Sequence, residues 1–325
     1  MCTAITYKQN YYGRNLDLEY DLKFSKVVIT PQKYHLQFRV SNLDLGIKYS
    51  LIGIAMVVDN YPLYYDAMNE HGLFMAGLNF DGYAKFFDIS KEKNNVAPFE
   101  LIPYILGNCK NLIEVKEKLK DINIVNVNFN SNLSLSPLHW IVSDNTTSLV
   151  IESVADGLKI YDNPIGVLTN NPDFPFHLTN LNNFLNLNPK NPLNCFSSAP
   201  YLKNISNGSG TIGLPGGLSS IDRFIRASYT KLTSISENNE ISDITQFFHI
   251  LGSVSQTRGT VMAHENRYEL TLYSNCYSSK TLTLYYKTYN NSQINALNLK
   301  NENISNSTVL KTFDLFKPQN INSLN

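Results

Sequence analysis

No stretch of eighteen consecutive apolar residues occurs anywhere in the chain, so the sequence offers no helix able to cross a bilayer. The first residues lack the basic-then-apolar pattern of a secretory leader. Cysteine is scarce: Cys2, Cys109, Cys195 and Cys276 lie far apart, with no CxxC pair, which argues against a zinc knuckle or a disulfide framework. Charge of one sign is also missing, since 27 Lys plus Arg balance 27 Asp plus Glu. Neither the footprint of a nucleic-acid binder nor a polybasic membrane anchor remains. No GxGxxG follows a strand, and neither GxxxxGK[ST] nor HExxH occurs, so dinucleotide, P-loop and zincin chemistry lack their motifs and no cofactor or metal is expected. A cytoplasmic enzyme fits these absences.

A chain of 325 residues buries a core without needing a staple. Cys109 and Cys276 sit in apolar stretches and read as small core residues. Short runs rich in β-branched and aromatic residues predict strands over Val27–Thr30, His35–Val40, Leu51–Val58 and Leu73–Asn79. Helices follow over Phe99–Leu106 and from a capping box at Asn111–Glu114 through Lys120. Strands return over Leu138–Ser143, Ser148–Val154 and Leu158–Tyr161, and Pro172 to Leu214 reads as irregular. Ser219 or Ser220 caps a helix through Leu232, and Asp243 begins another through Gly252. Leu270–Cys276 and Thr281–Thr288 read as an antiparallel pair, before a polar tail from about 302 that reads as loosely held. Blocks of strands alternating with blocks of helices point to two mainly antiparallel sheets with helices on the outer faces, an α+β arrangement in one domain spanning 1–325.

The residue with the most chemistry per atom is Cys2. If Met1 is removed, Cys2 carries a thiol and a free α-amino group, and such an amine has an ordinary pKa of about 7.7–8.0. One residue then supplies both a soft nucleophile and its general base, without a histidine. Arg14 and Asp17, on the extended segment after the first strand, are candidates to hold the sulfur's negative charge and to orient the amine. The plainer reading is a local ion pair worth less than about 1 kcal/mol. Oxyanion donors are backbone N–H groups or amide side chains. Asn79 and Asn170 qualify because each follows an apolar strand, although a strand-terminating turn residue looks the same. His139, beside the single tryptophan Trp140, reads as a hydrogen-bonded core residue, and His71 as a turn residue.

Several segments carry a resemblance in chain order: Met1-Cys2-Thr3, Gly13-Arg14-Asn15-Leu16-Asp17, Asp66-Ala67-Met68-Asn69-Glu70, Ala76-Gly77-Leu78-Asn79-Phe80, Pro137-Leu138-His139-Trp140, Gly166-Val167-Leu168-Thr169-Asn170 and Arg223-Phe224-Ile225-Arg226. Together, to about residue 300, they resemble the choloylglycine hydrolase family of N-terminal nucleophile hydrolases, nearest its bile salt hydrolases from Gram-positive bacteria. The resemblance implies a four-layer αββα fold and a homotetramer. It implies Cys2 as nucleophile, Arg14 beside its sulfur, Asp17 on the amine, Asn79 and Asn170 in the oxyanion region, and Arg223 as a second active-site arginine. Arg226 would share Arg223's side of its helix, and an exposed helix arginine is the plain alternative for both.

The implied reaction is hydrolysis of the amide joining a bile acid to glycine or taurine. The resemblance places loops around 16–20, 58–65 and 127–136 about the steroid, with Leu16, Val58, Phe129 and Leu135 as candidate contacts. Penicillin V acylase is the alternative activity; many such acylases carry a tyrosine where this chain has Asn79, which favours bile salts. An inactive ligand-binding relative is a third reading. Asn207 stands where close relatives often have arginine, which leaves the choice between glycine and taurine conjugates open.

Overall fold

The computed structural model describes residues 1–325 apart from 20, 21, 23, 41–45, 199–201 and 303. Alternating burial along the strands builds the layers. In Leu51–Val58, Ile52 and Ile54 enter one core while Leu51 and Ala55 enter another, because successive strand residues face opposite sides.

The strands of the two large sheets are β1 (Cys2–Tyr7), β2 (Tyr11–Leu18), β3 (Ser25–Thr30), β4 (Leu51–Val58), β5 (Tyr61–Asn69), β6 (Phe74–Asn79), β7 (Leu138–Ser143), β8 (Ser148–Val154), β9 (Gly157–Asp162), β10 (Val167–Leu168), β11 (Leu270–Ser278), β12 (Thr283–Thr288), β13 (Asn291–Asn298) and β14 (Lys311–Asp314). One sheet runs β10-β1-β2-β11-β12-β13 and the other β9-β8-β7-β6-β5-β4-β3-β14, every neighbouring pair antiparallel. The helices are α1 (Leu101–Leu106), α2 (Leu112–Leu119), α3 (Phe174–Asn180), α4 (Ser220–Thr233) and α5 (Glu240–Gly252). α4 and α5 pack on the six-stranded sheet, α5 through Phe247, Phe248 and Leu251. α1 and the Leu112, Val115 and Leu119 stripe of α2 cover the eight-stranded sheet. Two antiparallel sheets between helix layers give the expected αββα order.

Several local expectations are corrected. His35–Val40 is not a strand: the buried Glu100 carboxylate takes the backbone N–H groups of Arg39 and Val40 in place of a ladder partner. β5, absent from the expected strands, pairs along its length with β4 even though Pro62 sits near its start. α3 forms within the stretch read as irregular, opened by Pro175. α5 starts at Glu240, where Asn239 accepts the N–H of Ser242 at 2.9 Å, and Asp243 is instead bonded to Lys8 at 2.7 Å. The tail is not all loose: β14 adds an edge strand to β3, and Leu315 is buried. At α2 the Asn111 cap is present at 3.0 Å, but Glu114 reaches back to the N–H of Lys110 at 2.8 Å, one residue before the cap.

Candidate active site

The sequence-picked residues converge at one end of the sandwich, where β1 and β11 begin and β2 and β6 end. Register places Cys2 opposite Leu16, Thr271 opposite Asp17, and Leu138 opposite Asn79. Along β2, Arg14 turns toward the opposing sheet and donates to the carbonyls of Tyr65 (3.2 Å) and Gly77. Asn15 turns the other way and donates to the Leu251 carbonyl of α5 at 2.8 Å.

Gly13 explains why a glycine precedes Arg14. A β-carbon there would lie 2.1 Å from the Asn275 carbonyl oxygen. That close approach lets the Asn275 side chain accept the Arg14 N–H at 2.9 Å and donate to Asp66 at 2.6 Å. Asp66 also receives the hydroxyls of Tyr273 and Tyr277, both at 2.5 Å. Burial by itself would lower the pKa of the Arg14 guanidinium, but the charges of Cys2, Tyr273, Asp66 and Asp17 outweigh it and the net shift is upward. Its Nη2 is buried without a partner among the described residues.

Asp17 is fully buried, which raises its carboxyl pKa against the pull of Arg223 and the chain's terminal ammonium. Oδ1 accepts the Thr271 hydroxyl at 2.6 Å, while Oδ2 is buried without a partner among the described residues. With Met1 present, the terminal ammonium donates to the Asp17 carbonyl at 2.7 Å and to Glu269 at 2.9 Å, and the Asp17 N–H donates to the Met1 carbonyl at 2.9 Å.

Asn170 is the hub. Its Oδ1 accepts the Cys2 N–H at 2.7 Å and an Arg223 Nη2–H at 2.7 Å, and its Nδ2 donates to the Asn79 carbonyl at 2.7 Å. Asn79 itself is half-buried at the end of β6. Arg223 lies in the first turn of α4, which Ser219 caps by accepting the N–H of Asp222 at 3.1 Å. It is not an exposed helix arginine: it is fully buried and donates also to the Cys2 carbonyl, to Thr3 Oγ1 (2.6 Å) and to the Leu218 carbonyl (3.0 Å). Burial lowers its pKa, opposed by Asp17, Cys2 and Glu269. Arg226 clamps the Pro215 and Ser253 carbonyls instead of entering the site.

Residue types alone had not singled out Thr3, Thr271 or His177, and had offered Ser220 only as a helix cap; its hydroxyl accepts the Asn170 N–H at 2.9 Å and donates to Thr169 Oγ1 at 3.0 Å. His177 is buried against Phe224 and bonded through Nε2 to the Asn170 carbonyl at 2.9 Å. Burial pushes its pKa down to about 4. Its only sequence signal is a histidine seven residues after Asn170. His139 is the core residue expected, stacked on Phe80 and bonded to the Thr169 carbonyl at 2.9 Å and Glu152 at 3.2 Å. The His71 ring packs edge-to-face with Tyr49, and its backbone N–H donates to Asn69 Oδ1 at 3.0 Å.

A largely apolar groove of about 410 Å³ opens beside Tyr65, whose carbonyl Arg14 holds. Phe129 and Leu135 line it, together with Leu22, Leu63 and Leu138. Arg39 supports the Phe129 wall, its guanidinium 3.6 Å from the ring centre and 2.9 Å from the Phe129 carbonyl. Leu16 lies buried in the core between the sheets, and Val58 packs half-buried against the second core; neither is among the lining residues. Of the loop placed at 16–20, residue 20 lies outside the described residues.

The model of the choloylglycine hydrolase family of linear amide C–N hydrolases matches residues 2–313. A bile salt hydrolase/transferase of Lactiplantibacillus plantarum is 51% identical over 95% of this chain and 96% of its own length. A conjugated bile acid hydrolase of Lactobacillus acidophilus is 37% identical over 96% of this chain and all of its own. Among solved structures, a variant of the Clostridium perfringens conjugated bile acid hydrolase superposes with a TM-score of 0.92 at 34% identity, covering both chains completely. A penicillin V acylase of Agrobacterium tumefaciens shares the fold, with a TM-score of 0.77 at 18% identity over 97% of this chain and 92% of its own. The fold, the site residues brought together in it and these matches agree: the chain belongs to the choloylglycine hydrolase family of linear amide C–N hydrolases.

Proposed function

We propose that this chain, once Met1 is removed, is a bile salt hydrolase that cleaves the amide between a bile acid and glycine or taurine, with Cys2 as nucleophile. The observation that carries the chemistry is a pair of unmatched buried groups around Cys2: a donor, Arg14 Nη2, and an acceptor, Asp17 Oδ2. Buried polar atoms without partners are expensive, about 1–3 kcal/mol each, and a thiolate and a free ammonium are the partners they lack. The names of the relatives support the substrate class, and the groove beside Tyr65 supports an apolar body next to the reacting group.

In this reaction the neutral Cys2 amine takes the thiol proton and Sγ attacks the carbonyl carbon. The developing oxyanion draws on donors from the Asn79 and Asn170 region, and the buried cation Arg14 offsets the negative charge. The Cys2 ammonium gives its proton to the leaving nitrogen as the C–N bond breaks, leaving a thioester. Water then attacks, the amine takes its proton, and the C–S bond breaks to free the bile acid.

The active unit in this proposal is a single catalytic domain that assembles as a homotetramer in the cytoplasm. The exposed apolar side chains Leu193, Phe196, Ile205 and Ile212 suit contact with another subunit. Amino acid release from glycocholate and taurocholate, beside side-chain release from penicillin V, tests the substrate. Faster cleavage of penicillin V replaces the bile-salt reading, and binding without turnover by a chain beginning at Cys2 makes it a ligand-binding relative.

A further inference from the structure

A second cavity, of about 680 Å³, opens near the same end of the sandwich but is lined by different residues. Its apolar surface comes from Leu270, Leu272, Tyr289 and Phe316. Leu270 and Leu272 are buried in the floor, whereas Tyr289 and Phe316 stay partly exposed on the walls. Three cations, Arg258, Arg267 and Lys317, meet a single lining carboxylate, Glu19. Glu19 has His264 3.8 Å away. The Arg258 guanidinium lies 5.3 Å from the Tyr289 ring centre, and the Arg267 side chain has no hydrogen bond or ion pair among the described residues.

An apolar floor under three cations that face one lining carboxylate selects one kind of occupant, a molecule with an apolar body and an anionic head. We propose that this cavity is a second binding site for an amphipathic anion, its body on Leu270, Leu272, Tyr289 and Phe316 and its carboxylate or sulfonate at Arg258, Arg267 and Lys317. The identification of that anion as a conjugated bile salt rests on the proposed function. The floor strand is shared with the candidate active site: Thr271, between Leu270 and Leu272, is the residue whose hydroxyl holds Asp17. A ligand on this floor therefore lies against the strand that orients the carboxylate.

Calorimetric titration of the full-length Cys2→Ala protein, which cannot turn substrate over, tests the site with two probes, taurodeoxycholate and 1-anilinonaphthalene-8-sulfonate. The expected result is two sites per chain for taurodeoxycholate, one of which is weakened about tenfold or more by the double change Arg258→Glu, Arg267→Glu while the other is unaffected. Arg258→Gln, Arg267→Gln weakens the same site less, and added salt weakens it in the parent protein. A single site per chain for both probes, or two sites indifferent to the charge reversal, overturns the proposal. If the enzyme hydrolyses neither glycodeoxycholate nor taurodeoxycholate, the proposed function falls on its own, and the anilinonaphthalene titration still decides whether the cavity takes amphipathic anions.

Discussion

Asn170 accepts the backbone N–H of Cys2 at 2.7 Å through the same oxygen that receives Arg223, so one side-chain amide fixes the nitrogen of the proposed nucleophile. Asn170→Ala strands the Cys2 nitrogen and the Arg223 guanidinium in a buried setting. The expected cost is about 1–3 kcal/mol of stability for each unpaired group. A kcat loss of about 100-fold or more accompanies it, with KM changed far less. Urea denaturation and steady-state kinetics check the two effects separately.

The proposed mechanism requires removal of Met1, because the Cys2 nitrogen is otherwise a peptide N–H bonded to Asn170. Intact-mass analysis of active protein is expected to show a chain beginning at Cys2, and preparations that retain Met1 are expected to be inert. Cys2→Ser should fold and bind substrate with nearly all turnover lost, since a hydroxyl is a far weaker nucleophile than a thiol near neutral pH. Turnover comparable to the parent would remove the thiol mechanism.

Stability is expected to fall in acid through His177. Its folded-state pKa, about 4, is below the unfolded value near ~6.5. The contribution is therefore complete above the unfolded pKa and is lost as pH falls from there toward about 4. The full span amounts to about 3 kcal/mol. His177→Gln keeps a donor for the Asn170 carbonyl but cannot titrate. Denaturation curves at pH 7 and 4.5 should show the parent losing more stability than the variant, and parallel losses would mean another group governs the slope.

Gly13→Ala is expected to destabilise by about 1–3 kcal/mol or more, because the added methyl meets the Asn275 backbone and not a flexible side chain. Since Asn275 bonds the Arg14 N–H, the shift should also reach the candidate active site. Thermal unfolding together with kcat measures both, and an unchanged Tm would show that β2 and β11 can part at no cost.

The sequence by itself determined the layers and singled out the candidate nucleophile. Period-two burial in stretches such as Leu51–Val58 and helical spacing in Leu112–Leu119 are local properties of a chain that must put apolar atoms on one side. Cys2 was legible for the same kind of reason, since a thiol and a terminal amine on one residue need no neighbour to be noticed. Residue physics also proposed Arg14 and Asp17 and, more weakly, Asn79 and Asn170 at strand ends; family resemblance promoted those two and brought in Arg223, because asparagine at a strand end and arginine on a helix have ordinary uses.

Only the tertiary structure decided the rest. Asn170 and Arg223 meet Cys2 across 168 and 221 residues of chain, a relation that no local pattern encodes. His177 and Thr271 are noticed only once Asn170 and Asp17 are in place to be held. Tertiary contacts likewise overruled local signals: a buried carboxylate, Glu100, drew the 35–40 segment out of any sheet, and backbone pairing with the edge of β3 drew the polar tail into one. Leu16, three residues before Glu19, went into the core because strand alternation and its register opposite Cys2 leave its side chain no other face.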